Sequence, residues 1–283
     1  MKLSSAITEA AERLRSSSAR GDARLDAETL LMHILGRDRA YLYAHPELEL
    51  ACHELTKYHE ALTRRSSGEP LQYITGRQEF WGFDLRVTPA VLIPRPETEH
   101  AVETALELLR GIQSPHIVDV GTGSGCIALA LASEMPEATI EAVDIAPEAL
   151  DVASANAERL GFARRIRFAQ SDLLEIFLQS TAAFDLVVSN PPYVGKNEAD
   201  KLQIEVRQHE PHAALFGGAE GLDIYRRLIP QAHQVLKTNG WLVMEIGYSQ
   251  EQAIRDLLTE WQDVHSVQDL QGIPRVVVAS KRE

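Results

Sequence analysis

From Ser4 to about Ser67 the apolar residues recur at three- and four-residue spacing: Ile7, Ala10, Ala11 and Leu14, then Leu30, Leu31, Ile34 and Leu35, then Leu55, Tyr58 and Leu62. One apolar stripe per segment predicts a small bundle of about four or five helices, interrupted at Gly21, Gly36 and Pro46. Between Gln78 and Ile93 the period changes. Phe80, Trp81, Phe83, Leu85, Val87 and Val91 stand around Gly82 and Pro89, which predicts a hairpin or extended linker. After Pro96 the pattern predicts a helix over Glu97 to Arg110, and then alternating strands and helices. The strands are His116 to Val120, Thr139 to Val143, Ile166 to Ala169 and Phe184 to Ser189. Beyond them come a helix from Gly221 to Leu236, a turn at Gly240, a strand Trp241 to Ile246, a helix Gln250 to Trp261, and strands Val264 to Asp269 and Arg275 to Ala279. The expected organisation is a helical domain over 1–75, a linker over 76–96 and an α/β domain over 97–283.

Composition narrows this picture. The 283 residues and 45% hydrophobic content suffice for two ordinary cores. No run approaches the roughly 18 apolar residues of a membrane helix, and Met1 to Arg20 is amphipathic without a signal-peptide core, so a cytoplasmic protein is expected. Cys52 and Cys126 lie far apart and are expected to be reduced, buried thiols rather than a disulfide or metal pair. In His209-Glu210-Pro211-His212 two histidines stand three apart, but Pro211 breaks the helix that would present them, so no metal site is expected. Trp81, Trp241 and Trp261 read as packing residues. Residues 1–90 hold 12 Lys and Arg against 13 Asp and Glu, net −1, while residues 91–283 hold 16 against 28, net −12. An acidic α/β domain repels a phosphate backbone, which favours a protein or small-molecule substrate.

The chemistry gathers at strand ends. Gly121-Thr122-Gly123-Ser124-Gly125 follows a buried strand and opens an Ala/Leu-rich stretch, Cys126 to Ala132, so its N–H groups face a ligand. The dinucleotide fingerprint requires glycine where Cys126 stands, which argues against NAD. Asp144, about 20 residues past the turn, suits two ribose hydroxyls, and Asp172 with Leu173 could flank an adenine. On the fourth strand, Asn190-Pro191-Pro192-Tyr193 suits a planar NH2 group. The Asn oxygen and the carbonyl before a proline each accept one N–H, the prolines fix the backbone, and Tyr193 stacks on the plane. A bare Asn-Pro-Pro reads as a loop; three strand ends in order before it make it a site.

These residues resemble the class I S-adenosylmethionine-dependent methyltransferases, and more closely the release factor glutamine methyltransferases (the PrmC/HemK family). Glu69-Pro70-Leu71-Gln72-Tyr73-Ile74-Thr75-Gly76 and Leu92-Ile93-Pro94-Arg95-Pro96-Glu97-Thr98-Glu99 look like that family's linker signatures, and Ala214-Leu215-Phe216-Gly217-Gly218 to Tyr225-Arg226 looks like its later segment. Asn-Pro-Pro-Tyr alone is shared with DNA adenine and ribosomal RNA methyltransferases; the Pro-Arg-Pro-Glu-Thr-Glu segment makes the combination specific. Glu97 stands where aspartate is common, and Leu173 where an aromatic residue can line the adenine pocket.

The resemblance implies a seven-stranded, Rossmann-like α/β sheet preceded by a helical bundle and a β-hairpin linker. It implies S-adenosyl-L-methionine as cofactor, with S-adenosyl-L-homocysteine as product. Gly121, Thr122, Gly123, Ser124 and Gly125 would hold the methionine part, Asp144 the ribose, and Asp172 and Leu173 the adenine, with Asn190 adjoining the cofactor. Asn190, Pro191, Pro192 and Tyr193 would bind and activate the amide. The implied acceptor is the glutamine of the Gly-Gly-Gln loop of peptide-chain release factors, gripped in part by the N-terminal helices. A monomer with no membrane or direct nucleic-acid partner is expected. Arg95, Pro96 and Glu97 either shape the entrance to the site or form a plain linker with acids at a helix N-terminus. The alternatives are a ribosomal-protein glutamine, a nucleic-acid amine, and a cofactor-binding module without turnover. An intact Asn-Pro-Pro-Tyr argues against the last.

Overall fold

The computed structural model describes residues 1–17, 21–181 and 183–282; the part of the expected N-terminal helical run at 18–20 lies outside them. The described residues form two compact units, Met1–Arg77 with Leu202–His209, and Gln78–Lys201 with Glu210–Glu283.

The first unit carries five helices from the N-terminal stretch: α1 (Leu3–Arg15), α2 (Ala23–Leu35), α3 (Arg39–Ala44), α4 (Cys52–Ser66) and α5 (Leu71–Thr75). Their starts and stops follow from local chemistry. Asp22 accepts the N–H groups of Arg24 and Leu25 at the start of α2, and Gly36 ends it in the left-handed conformation, φ 62°. The predicted stripes supply most of the core: Ile7, Ala10, Ala11, Leu14, Leu30, Leu31, Tyr58 and Leu62 are buried, while Ile34, Leu35 and Leu55 pack against it half-buried. The Tyr58 hydroxyl donates to the Ala27 carbonyl at 2.9 Å, and the buried Arg65 guanidinium is matched by Asp26 at 2.7 Å and Glu205 at 3.0 Å. The expectation of buried thiols fails at Cys52, which is exposed because α4 turns Tyr58, Ala61, Leu62 and Arg65 inward; Cys126 is half-buried.

In the second unit, β1 (Arg77–Phe80) and β2 (Phe83–Arg86) pair as a two-stranded sheet. Asn156 holds β2, accepting from the Arg86 N–H at 2.8 Å and donating to the Arg86 carbonyl at 2.9 Å. A 3-10 turn, Pro96–Thr98, leads into α6 (Glu99–Leu108), where one longer helix was expected. Then follow β3 (His116–Val120), α7 (Cys126–Glu134), β4 (Thr139–Asp144), α8 (Pro147–Leu160), β5 (Ile166–Gln170) and β6 (Phe184–Ser189). After α9 (Ile204–His209), which belongs to the first unit, the second unit resumes with α10 (His212–Leu215), α11 (Asp223–Val235), β7 (Leu236–Glu245), α12 (Glu251–Leu257), β8 (Gln262–Gln268) and β9 (Pro274–Ser280). Pro211 stands at the N-cap of α10, so His209 and His212 belong to different helices.

The seven strands lie in the order β5-β4-β3-β6-β7-β9-β8. β3 to β7 pair in parallel, and β9 inserts antiparallel between β7 and β8. The continuous apolar runs of the central strands bury both faces of the sheet. Ile117, Leu186, Val188 and Val243 pack with α6 and α7 on one side, and Val118, Val187, Leu242 and Met244 with α11 on the other. One expectation needs correcting: β7 begins at Leu236 rather than Trp241. Its register slips between Phe184 and Leu186 on the partner strand, where Asn239 takes φ 61°. The expected turn at Gly240 is thus absorbed as an irregularity, fastened by Asn239 N–H to the Lys281 carbonyl at 3.0 Å and Lys281 N–H to the Gly240 carbonyl at 2.9 Å.

Candidate active site

The strand order reverses between β3 and β6, so the loops leaving their C-terminal ends part in opposite directions and leave a crevice. Val120 and Ser189, the last residues of these strands, are in register, and the Ser189 hydroxyl donates to the Val120 carbonyl at 2.7 Å. Gly121 and Asn190 therefore start from neighbouring points.

On the β3 side, the turn is built by positive backbone angles: φ is 71° at Gly121, 56° at Gly123 and 83° at Gly125. The N–H groups of Gly121 and Thr122 both reach the Val143 carbonyl, at 2.8 and 3.0 Å, tying the turn to β4. Asp144 closes β4, its carboxylate accepting from Gly123 N–H at 2.9 Å and Ala146 N–H at 3.0 Å. Burial raises its pKa against the lowering effect of those backbone donors. Asp119, inside the apolar run of β3, gives no local sign of a site role. It is fully buried, and one carboxylate oxygen accepts from the Thr122 hydroxyl at 2.7 Å and Ala128 N–H at 3.2 Å. Burial pushes it up to about 7.

The acid and apolar residue after β5 are placed differently from each other. Asp172 is half-buried, and its carboxylate meets Arg227 at 2.7 Å. Leu173 sits in the left-handed region at φ 54° and packs against the core beneath β6 and α11. Ile145, directly after Asp144, is 57% exposed. An apolar residue adjoining a strand-end acid was the available signal for it.

On the β6 side, Asn190 is half-buried and its Nδ2 donates to the Thr98 hydroxyl oxygen at 3.0 Å. Thr98, 1% exposed, donates in turn to Glu245 Oε2 at 2.6 Å. The Tyr193 hydroxyl donates to Glu245 Oε1 at 3.4 Å, and the Tyr225 hydroxyl to the Glu245 carbonyl at 2.7 Å. Burial pushes the Glu245 carboxyl up to about 7 and raises the Tyr193 phenol. Among the described residues nothing donates to Asn190 Oδ1 or to the Pro191 carbonyl. The backbone after Asn190 is clamped from behind: Gln250 Nε2 donates to the Tyr193 carbonyl at 2.9 Å, and a Cβ at Gly217 would lie 2.3 Å from the Pro192 carbonyl. Arg95 is held by the buried Glu210 at 2.5 Å, which also accepts from Ile93 N–H. Thr98, Glu245, Gln250 and Glu210 were not visible as site residues in the sequence.

A seven-stranded sheet with a glycine turn after its first strand, an acid closing its second and Asn-Pro-Pro-Tyr after its fourth defines a class I S-adenosylmethionine-dependent methyltransferase. Residues 5–76 match the family described as PrmC N-terminal domain, and residues 113–277 one described as methyltransferase domain. The release factor glutamine methyltransferase of Koribacter versatilis is 54% identical over 258 residues, 91% of each chain. That of Moorella thermoacetica is 43% identical over the whole of both chains. The chain belongs to the release factor glutamine methyltransferase family. Among solved structures, the hMettl16 catalytic domain bound to an RNA hairpin superposes with a TM-score of 0.57 at 15% identity, covering 83% of this chain and 84% of its own. A methyltransferase from Pyrococcus furiosus gives 0.51 at 16% identity, covering 71% and 90%. These two share the fold.

The class uses S-adenosylmethionine, and the residues fit it. Beyond its two chain neighbours, no atom of the described residues lies within 4 Å of a Cβ built at Gly121, so the turn leaves room for close approach. Asp144 keeps a second lone pair on each oxygen. Asp119 Oδ1 is buried with no hydrogen-bond partner among the described residues, as suits a wall completed by a polar ligand.

Proposed function

We propose that the chain methylates the side-chain amide nitrogen (N5) of the glutamine in the Gly-Gly-Gln motif of peptide-chain release factors, converting S-adenosyl-L-methionine to S-adenosyl-L-homocysteine. The observation that carries this reading is the Asn190 carboxamide, held with its nitrogen on Thr98 while its oxygen accepts from none of the described residues. Relatives sharing both family matches supply the acceptor class.

In this reading the Gly121 to Gly125 turn holds the methionine part, Asp144 the ribose, and Asp172, Leu173 and Ile145 border the adenine. The bound cofactor supplies a methyl group made electrophilic by its sulfonium. Asn190 Oδ1 and the Pro191 carbonyl each accept one N–H of the glutamine amide, fixing its plane so that the nitrogen lone pair faces the methyl. As the nitrogen–methyl bond would form and the methyl–sulfur bond break, both acceptors and the Tyr193 ring stabilise the positive charge on that nitrogen, which then loses one N–H proton to solvent. No side chain needs to form a covalent bond. The helices of residues 1–75 grip the factor, and the enzyme works in the cytoplasm as a monomer.

The test is transfer of labelled methyl from S-adenosylmethionine to a purified release factor, beside the factor with its Gly-Gly-Gln glutamine changed to alanine. Label on the intact factor alone supports the reading. Equal label on both moves the acceptor elsewhere.

A further inference from the structure

We infer that Glu245 is a positioning residue: through Thr98 it fixes which end of the Asn190 carboxamide faces the reacting centre. The inference rests on the reading of Asn190 as the acceptor of the substrate amide. Thr98 Oγ has one hydrogen to give. Glu245 Oε2, at 2.6 Å, takes it when the carboxylate is ionised, and the Thr98 oxygen then only accepts. The atom 3.0 Å away on Asn190 must be the donor, Nδ2, and Oδ1 is left for the substrate.

Protonation reverses the relay. A Glu245 carboxylic acid donates to Thr98, Thr98 donates to Asn190, and the carboxamide turns its NH2 toward the substrate amide, where donor meets donor. The geometry places this switch away from water, since Glu245 is 3% exposed and Thr98 1%.

The groups around Glu245 come from every neighbouring element. Glu97 and Thr98 stand on the turn before α6, Cys126 at the start of α7, Tyr193 on the Asn-Pro-Pro-Tyr loop, Tyr225 on α11 and Arg275 on β9. Burial and Glu97 favour the protonated form; Thr98, Tyr193 and Arg275 favour the ionised one. Arg275 is itself shared with Asp269 at 2.8 Å and Glu97 at 3.8 Å. Arg95 faces Tyr193 from the preceding linker. The balance leaves the carboxyl near about 7.

Three variants test this, with circular dichroism as the check on folding. Glu245→Gln keeps size but replaces one acceptor with a donor; Thr98→Val cuts the relay; Thr98→Ser restores the hydroxyl. The relay predicts a wild-type kcat that falls on the acid side of about pH 7. It predicts about tenfold lower kcat in Glu245→Gln and Thr98→Val, little change in KM for the release factor, and no acid limb in either. Thr98→Ser should keep both rate and limb. A second readout does not depend on turnover: the side-chain NH2 resonances of Asn190, assigned by their loss in Asn190→Asp, should shift with the same midpoint in the wild type and not in Glu245→Gln or Thr98→Val. If the wild type methylates no release factor yet these resonances titrate, the proposed function fails and the relay stands. PH-independent Asn190 resonances, or full kcat in both Glu245→Gln and Thr98→Val, overturn the relay.

Discussion

The Ser189 hydroxyl donates to the Val120 carbonyl across 2.7 Å, joining the ends of the two strands from which the halves of the site depart. Both groups are buried, so removing the donor leaves a desolvated carbonyl edge and a small void. Ser189→Ala is expected to lose about 1–3 kcal/mol of stability and to lower kcat/KM, because the glycine turn and Asn190 no longer share one support. Chemical denaturation beside steady-state kinetics checks both.

The glycine turn separates two kinds of cost. A Cβ at Gly125 would lie 3.2 Å from Ala153 Cβ with φ at 83°, so Gly125→Ala combines backbone strain with a clash against α8. At Gly121 the backbone is also left-handed, φ 71°, but a Cβ meets nothing within 4 Å among the described residues beyond its chain neighbours. Gly121→Ala should cost about 1–2 kcal/mol in stability and lose cofactor affinity, because the added methyl occupies the space left for the ligand. Calorimetric titration with S-adenosylhomocysteine should show weakened binding by a folded Gly121→Ala protein. Unchanged affinity would place the cofactor off this turn.

Asn190 belongs to the acceptor in this account. Asn190→Ala is expected to reduce kcat by at least about a hundredfold, comparable to loss of one preorganised polar partner, while the dissociation constant for S-adenosylhomocysteine changes little. Equal losses in both would make Asn190 a cofactor ligand instead.

Asp119 makes stability depend on pH in a calculable direction. Its folded pKa is pushed up to about 7, above the ordinary 3.8, chiefly by burial. A raised folded value means the native state binds the proton more tightly. The stabilisation is full below the ordinary carboxylate range and is lost as pH rises through about 7. Asp119→Asn keeps an oxygen for Thr122 and Ala128 and removes the titration. The difference in Tm, variant minus wild type, should therefore grow between pH 5 and pH 8 in thermal scans. A constant difference would show that Asp119 titrates normally.

What the sequence made legible was what lies close along the chain. The glycine turn, Asp144 and Asn190-Pro191-Pro192-Tyr193 each follow an apolar run that forms a strand, so strand and chemistry appear in one window. The relay behind Asn190 has no such window, because Thr98 lies 92 residues from Asn190 and 147 from Glu245. Glu245 closes its strand just as Asp144 does, yet a strand-end acid shows its partner only when the sheet order is known. The Arg227 partner of Asp172, at 2.7 Å, lies 55 residues further on and is hidden from a local window in the same way. α9 and α10, six and four residues long, are too short to show a helical period. The slip in β7 lay hidden because Asn239 and Gly240 favour a turn locally, and the Lys281 backbone overrules that preference.

The most direct test of the account is the position of the new methyl group. Release factor incubated with the chain and methyl-deuterated S-adenosylmethionine, then digested and fragmented in a mass spectrometer, should carry the deuterated methyl on the side-chain amide of the Gly-Gly-Gln glutamine. The wild type should produce this mark, and Asn190→Ala should all but abolish it. A mark on another residue, or an equal mark from Asn190→Ala, would contradict the assignment of Asn190 as the group that holds the reacting amide.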